Sequence, residues 1–92
     1  MGMKTLTGTV EKYPGKMGWY FLTLPDRLVP KDTIKKTKYA LVPVRVTVGS
    51  TKWETSIMPH GKGKYFIALK ATVRKKEGIL VGDRVTLSFS LR

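Results

Sequence analysis

The side chains in this chain that suit chemistry are few, and most of them are cations. Between positions 60 and 64 the run HGKGK sets two glycines among two lysines. Such a run suits phosphate, because glycines bare their backbone N–H groups and lysines add charge. It lacks the GxxxxGK spacing of a triphosphate loop, and no strand, loop and helix follow it in the required order. It therefore reads as a flexible basic loop, in which Lys62 and Lys64 meet a phosphate backbone without a fixed cradle. Two further stretches concentrate positive charge. Residues 26–38 hold Arg27, Lys31, Lys35, Lys36 and Lys38 against Asp26 and Asp32, and residues 70–77 hold Lys70, Arg74, Lys75 and Lys76 against Glu77. Each is either a solvated surface or a face for a polyanion.

Catalytic chemistry has less to work with. Ser56, His60 and Asp83 are the residues that can be assembled into a nucleophile, a base and an orienting acid. Ser56 falls on an expected strand, however, and His60 in the glycine-rich loop. The six carboxylates are scattered, and most have a basic neighbour: Glu54 faces Arg45, and Asp83 serves its turn or holds Arg74. With no cysteine, disulfides and thiolate metal sites are excluded, and with a single histidine a histidine-based metal site would need carboxylate help. The expectation is a protein that is not an enzyme and carries no cofactor or metal.

The elements that position these residues come from a repeat. GWYFLTL at 18–24 returns as GKYFIAL at 63–69, with Gly18, Tyr20, Phe21 and Leu24 matched by Gly63, Tyr65, Phe66 and Leu69 at a constant offset of 45 residues. Before the first copy, Leu6, Gly8 and Val10 alternate with threonines and Glu11 as in a half-buried strand over 3–13, closed by a YPGK turn at 13–16. After it, Pro25 breaks the strand and a basic, weakly helical connector runs to Ala40. LVPVRVTV, Gly49-Ser50 and TKWETSI then form a hairpin. Pairing Val48 with Thr51 sets Val46 against Trp53, Val42 against Ile57 and Arg45 against Glu54, so opposite charges meet across the strands. Pro43, lacking an N–H, belongs at the start of its strand or facing away from the ladder. After the second copy, ATVRKKE predicts a short helix ended by Gly78 at positive φ, Gly82-Asp83 a turn, and RVTLSFSLR a strand with Val85, Leu87, Phe89 and Leu91 inward. The sum is one domain over 1–92 made of two pseudo-repeats, about 3–45 and 46–92. Its fold class is mostly β: a small six-stranded double-split β-barrel with an internal pseudo-two-fold and one or two short helices.

Trp19, Phe21, Trp53 and Phe66 raise the prospect of a base-stacking platform. Core packing accounts for Trp53, opposite Val46, and for Phe21 and Phe66, which a duplicated barrel buries twice. Trp19 differs, because its counterpart in the repeat is Lys64, and a position that accepts lysine lies near solvent. It joins Lys35, Lys36, Lys62, Lys64, Arg74, Lys75 and Lys76 as a candidate nucleic-acid contact.

Residues 64–88, with a short basic helix and then GILVGDRVTL, resemble the AbrB/MazE/MraZ group of DNA-binding half-barrels. In that group the helix also ends in a Gly-Ile step before a Gly-Asp turn, and two chains are needed to complete one barrel. A chain holding both halves closes the barrel alone, which implies a monomer. Over nearly the whole length, the order of GWYFLTLP, VPVRVTV, KWETSIMPHGKGKYFIALK and VRKKEGILVGDRV resembles the domain-of-unknown-function family nineteen-oh-five, also labelled YdeI/OmpD-associated. That resemblance implies a single-chain double-split β-barrel and brings no established activity. It does not transfer DNA binding, since one chain with both halves lacks the two identical arms of the AbrB-type dimer.

Charge supplies the remaining inference. Eighteen Lys and Arg against six Asp and Glu leave the 92 residues at +12, a balance that favours nucleic acid or another polyanion as partner. A protein-interaction or accessory barrel, with the charge serving solubility, is the alternative. No stretch approaches the ~20 apolar residues of a membrane helix and no signal-peptide core opens the chain, so a cytoplasmic protein with no membrane partner is expected. The absence of Asn, Gln and Cys beside abundant Lys suggests a thermophilic source.

Overall fold

The computed structural model describes residues 3–13, 19–37, 41–59, 61 and 63–92. Pro14, Gly15, Lys16 and Gly18, together with Lys38, Ala40, His60 and Lys62, lie outside that set. The described chain forms β1 (Lys4–Thr9), β2 (Glu11–Lys12), β3 (Tyr20–Thr23), a 3₁₀ turn (Asp26–Leu28), α1 (Lys31–Lys35), β4 (Val42–Val48), β5 (Thr51–Pro59), β6 (Tyr65–Ala68), α2 (Ala71–Glu77) and β7 (Arg84–Leu91). The strands follow the order β1-β7-β4-β5-β6-β3-β2, every pair antiparallel. Its two edge strands, β1 and β2, are separated in the chain by Val10 alone, so the sheet is a nearly closed barrel.

Val10 is where the first strand changes partners, from β7 to β3. It is 1% exposed, and the turn before β7 satisfies its backbone on both sides: Val10 N–H donates to the Asp83 carbonyl at 2.8 Å, and Gly82 N–H donates to the Val10 carbonyl at 2.9 Å. The single strand expected over 3–13 is thus two strands, and the count among the described residues is seven rather than six. A strand that serves two neighbours at a barrel corner must bend, and the bend interrupts its ladder.

The hairpin has the expected register throughout, from Val48 opposite Thr51 to Val42 opposite Ile57. Its inward valines Val42, Val44, Val46 and Val48 join Leu6, Leu22, Ile57, Ile67, Leu87 and Phe89 in the core. None of the buried residues among those described is polar or charged. Pro43 stands second in β4, where its missing N–H costs least, and its carbonyl accepts from Arg92 N–H at 3.2 Å. Leu91 departs from expectation and is 47% exposed. The described pairing of β1 begins at Lys4 opposite Phe89, so Leu91, beyond that level, has β4 on one side and no partner among the described strands on the other.

The repeat acquires a geometric meaning in two of the ladders. Leu22 pairs with Ile67 at the centre of the β3–β6 ladder, and Arg45 pairs with Ser90 in the β4–β7 ladder. Both pairs are separated by the offset of the echoed sequence, so equivalent residues face each other across a local two-fold. Leu24 N–H donates to Tyr65 O at 2.9 Å and Leu69 N–H to Tyr20 O at 2.8 Å, each bond a copy of the other. Phe21 and Phe66, also equivalent, meet edge to face with centroids 5.2 Å apart. The connectors carrying α1 and α2 therefore leave this ladder at opposite ends.

Two glycines complete the second connector. Gly78 ends α2 with φ +65°, and Gly82 has φ +90° in the turn that meets Val10. A Cβ at Gly82 meets nothing within 4 Å, so a substitution there is penalised by the backbone alone. Gly82→Val is expected to destabilise by about 1–3 kcal/mol. In a chain of this size that is roughly 4–8 °C of Tm for each kcal/mol. Thermal denaturation followed by circular dichroism checks it, and an unchanged Tm contradicts the geometry assigned to this turn.

Candidate nucleic-acid interface

Tyr20 opens β3 and is half-buried, and Trp19 just before it is 40% exposed. The indole leans on Phe66, with centroids 6.2 Å apart and planes 60° apart. The constant offset places Trp19 where the other half has Lys64, and both side chains are exposed. From α2, Arg74 reaches back across the barrel surface. Its guanidinium carbon stands 3.7 Å from the Tyr20 ring centroid, and its Nε donates to the Leu69 carbonyl at 3.1 Å. A planar cation on an aromatic face, with one N–H already directed, is held rigidly. Lys12 Nζ approaches the same ring at 5.7 Å.

These contacts frame a groove of about 330 Å³ between the start of β3, the end of β6, β5 and the first turn of α2. Trp19, Tyr20, Thr55, Met58, Lys70 and Arg74 line it, over a floor of Ala68, Leu69 and Ala71. No carboxylate is among these lining residues. The groove thus offers an exposed ring, an apolar wall and two cations, a lining that can stack a planar group and meet an anion.

Five of the six carboxylates are engaged elsewhere. Asp26 pairs with Lys31 at 3.0 Å, and Glu54 with Arg45 at 3.1 Å and with Arg92 at 3.5 Å. Glu11 accepts from Thr23, and Glu77 from Thr51 and Ser50 at the tip of the β4–β5 hairpin. Asp83 serves its own turn, as expected, by accepting from Leu80 N–H at 2.9 Å, and it does not hold Arg74, which Tyr20 and Leu69 engage instead. Of the proposed catalytic set, Ser56 lies opposite Pro43 in the hairpin and His60 is outside the described residues.

Of the candidate contacts, the structure brings Trp19 and Arg74 into one groove. Lys75 and Lys76 follow on α2, both exposed, and Lys64 stands exposed before β6. Lys35 ends α1 and Lys36 caps it, also exposed, on the connector that starts from the opposite end of the β3–β6 ladder. Lys62 lies outside the described residues. Sequence reasoning passed over Tyr20, Thr55 and Met58, and counted Lys70 only as charge. The spacing of Lys70 and Arg74, one helical turn apart with Arg74 N–H bonded to Lys70 O at 3.0 Å, was the available signal; Met58 had none.

A family model described as domain of unknown function (DUF1905) matches residues 7–89. None of the curated proteins matches the chain.

The arrangement predicts separate fates for the two partners of the stacked pair. Arg74→Ala, which removes both the stacking and the bond to Leu69, is expected to lower stability by about 1–2 kcal/mol. Tyr20→Phe keeps the ring and is expected to stay within about 0.5 kcal/mol of the parent. Urea denaturation of both variants checks this, and a neutral Arg74→Ala contradicts the contact.

Proposed function

The chain belongs to the family described as domain of unknown function (DUF1905), a description that states no activity, and from its own surface we propose that it is a small non-enzymatic module that binds polyanions, nucleic acid foremost. One observation carries this reading: among the described residues, six exposed lysines are left without a carboxylate partner. Among the described residues the ion pairs engage Lys31, Arg45 and Arg92. Lys35, Lys36, Lys64, Lys70, Lys75 and Lys76 have no carboxylate partner and stand exposed. Surface charge left in this state raises the free energy of the isolated protein and is relieved by a partner of opposite sign, with release of the partner's counterions. A barrel closed within one chain supports action as a monomer.

A second reading has its own support. Leu80 and Val81, adjacent in the loop between α2 and β7, are 69% and 53% exposed, which favours a protein-binding accessory barrel. Salt separates the two, because contacts to phosphate weaken steeply as salt rises and an apolar contact does not.

The test is a titration with duplex DNA, single-stranded DNA and RNA at two salt concentrations. Each phosphate contact contributes about 0.9 to the slope of log K against log salt on duplex DNA. Lys75→Gln with Lys76→Gln is therefore expected to flatten that slope by nearly 2 while leaving sequence preference unchanged. A folded protein that binds none of the three at low salt gives first place to the accessory barrel.

A further inference from the structure

The groove beside α2 is lined by side chains whose counterparts in the other half differ in type, although the backbone beneath it is built twice. Register fixes the correspondence: Met58 pairs with Phe66 as Glu11 pairs with Phe21. The offset of the repeat extends it, matching Trp19 to Lys64, Lys70 to Pro25 and Arg74 to Val29. Where one half presents an indole, a thioether and two cations, the other presents Lys64, Glu11, Pro25 and a buried Val29. The second set closes its side of the barrel without the first, so barrel closure does not call for Trp19, Met58 or Lys70. The repeated backbone therefore does not by itself dictate their combination.

We propose that this groove receives one unpaired nucleobase of a single-stranded nucleic acid, stacked on Trp19 against Met58, with the adjoining phosphate on Lys70. The inference rests on the polyanion-binding reading and narrows it to a strand whose bases are free. An exposed indole offers a face to any base, and a soft thioether adapts to its edge. A base paired inside a duplex cannot reach that face. The groove, about 330 Å³, is at the small end of the range of ligand clefts, about 300–1,000 Å³, which suits one nucleotide unit. The lack of any lining carboxylate leaves Lys70 and Arg74 unopposed toward phosphate.

The experiment compares a labelled oligothymidylate, a duplex of equal length and thymidine monophosphate, by anisotropy or competition, against the parent protein, Trp19→Ala, Trp19→Phe and Lys70→Gln. Trp19→Ala is expected to weaken single-strand binding by about 5- to 150-fold, the value of one stacked base, and to leave duplex binding within about twofold. Trp19→Phe, which keeps a ring, is expected to recover most of the loss. Lys70→Gln is expected to flatten the single-strand salt slope by about 0.7. Equal single-strand affinity for Trp19→Ala and the parent, with binding otherwise intact, overturns the stacked base and spares the polyanion reading. Mononucleotide binding as tight as that of the strand overturns the single-strand assignment in favour of a free-nucleotide site. Absence of binding to strand and duplex alike at low salt removes the polyanion reading, and this inference with it.

Discussion

The two hydrogen bonds at Val10, to the carbonyl of Asp83 and from the N–H of Gly82, hold together a barrel that one chain must close with its own edges. β1 and β2 are the opposite edges of the sheet and also neighbours in sequence, so closure requires one residue to turn the corner with its backbone satisfied away from its flanking strands. The Gly82-Asp83 turn meets that requirement, and its geometry reaches further. Gly82 at positive φ and the Asp83 carboxylate on Leu80 N–H fix the path back from α2. Glu77, at the other end of that path, anchors the helix to Thr51 at the hairpin tip. With both attachments made, Arg74 lies over Tyr20, and the wall of the groove is in place.

The local two-fold through Leu22 and Ile67 separates what folding needs from what it tolerates. Positions whose counterparts match in type are core: Phe21 with Phe66, Leu22 with Ile67, Leu24 with Leu69, all buried. Trp19 and Lys64, whose types differ, are both exposed, and differences of this kind, Arg74 against the buried Val29 among them, collect around one groove. A repeated scaffold thus provides its own internal comparison: the same backbone carries an ion pair and proline on one side and an aromatic, cationic cleft on the other.

Sequence made the architecture legible wherever the determinant was local. The register of β4 and β5 followed from alternation and a two-residue turn, and the end of α2 from Gly78. The break at Val10 was not legible, because Leu6, Gly8 and Val10 alternate without interruption while the strand changes partners, and partner choice is a non-local property. Leu91 failed for a related reason: its alternation with Phe89 is perfect, but burial depends on where β1 stops. The groove was half legible. Trp19 stood out against Lys64 in the repeat, whereas Met58 and Tyr20 enter only through pairings that bring β5, β6 and β3 side by side, and the stacking of Arg74 on Tyr20 leaves no mark in either segment.

The central claim is that two halves of common design have diverged into one binding face, and amide and indole chemical shifts recorded by NMR during titration with a short oligothymidylate test it most directly. The account predicts the largest shifts at the Trp19 indole N–H and at the amides of Lys70, Ala71 and Arg74, with the counterparts Asp26 and Val29 nearly still. Shifts of equal size at both sets, or spread evenly over the lysines with Trp19 unmoved, contradict it.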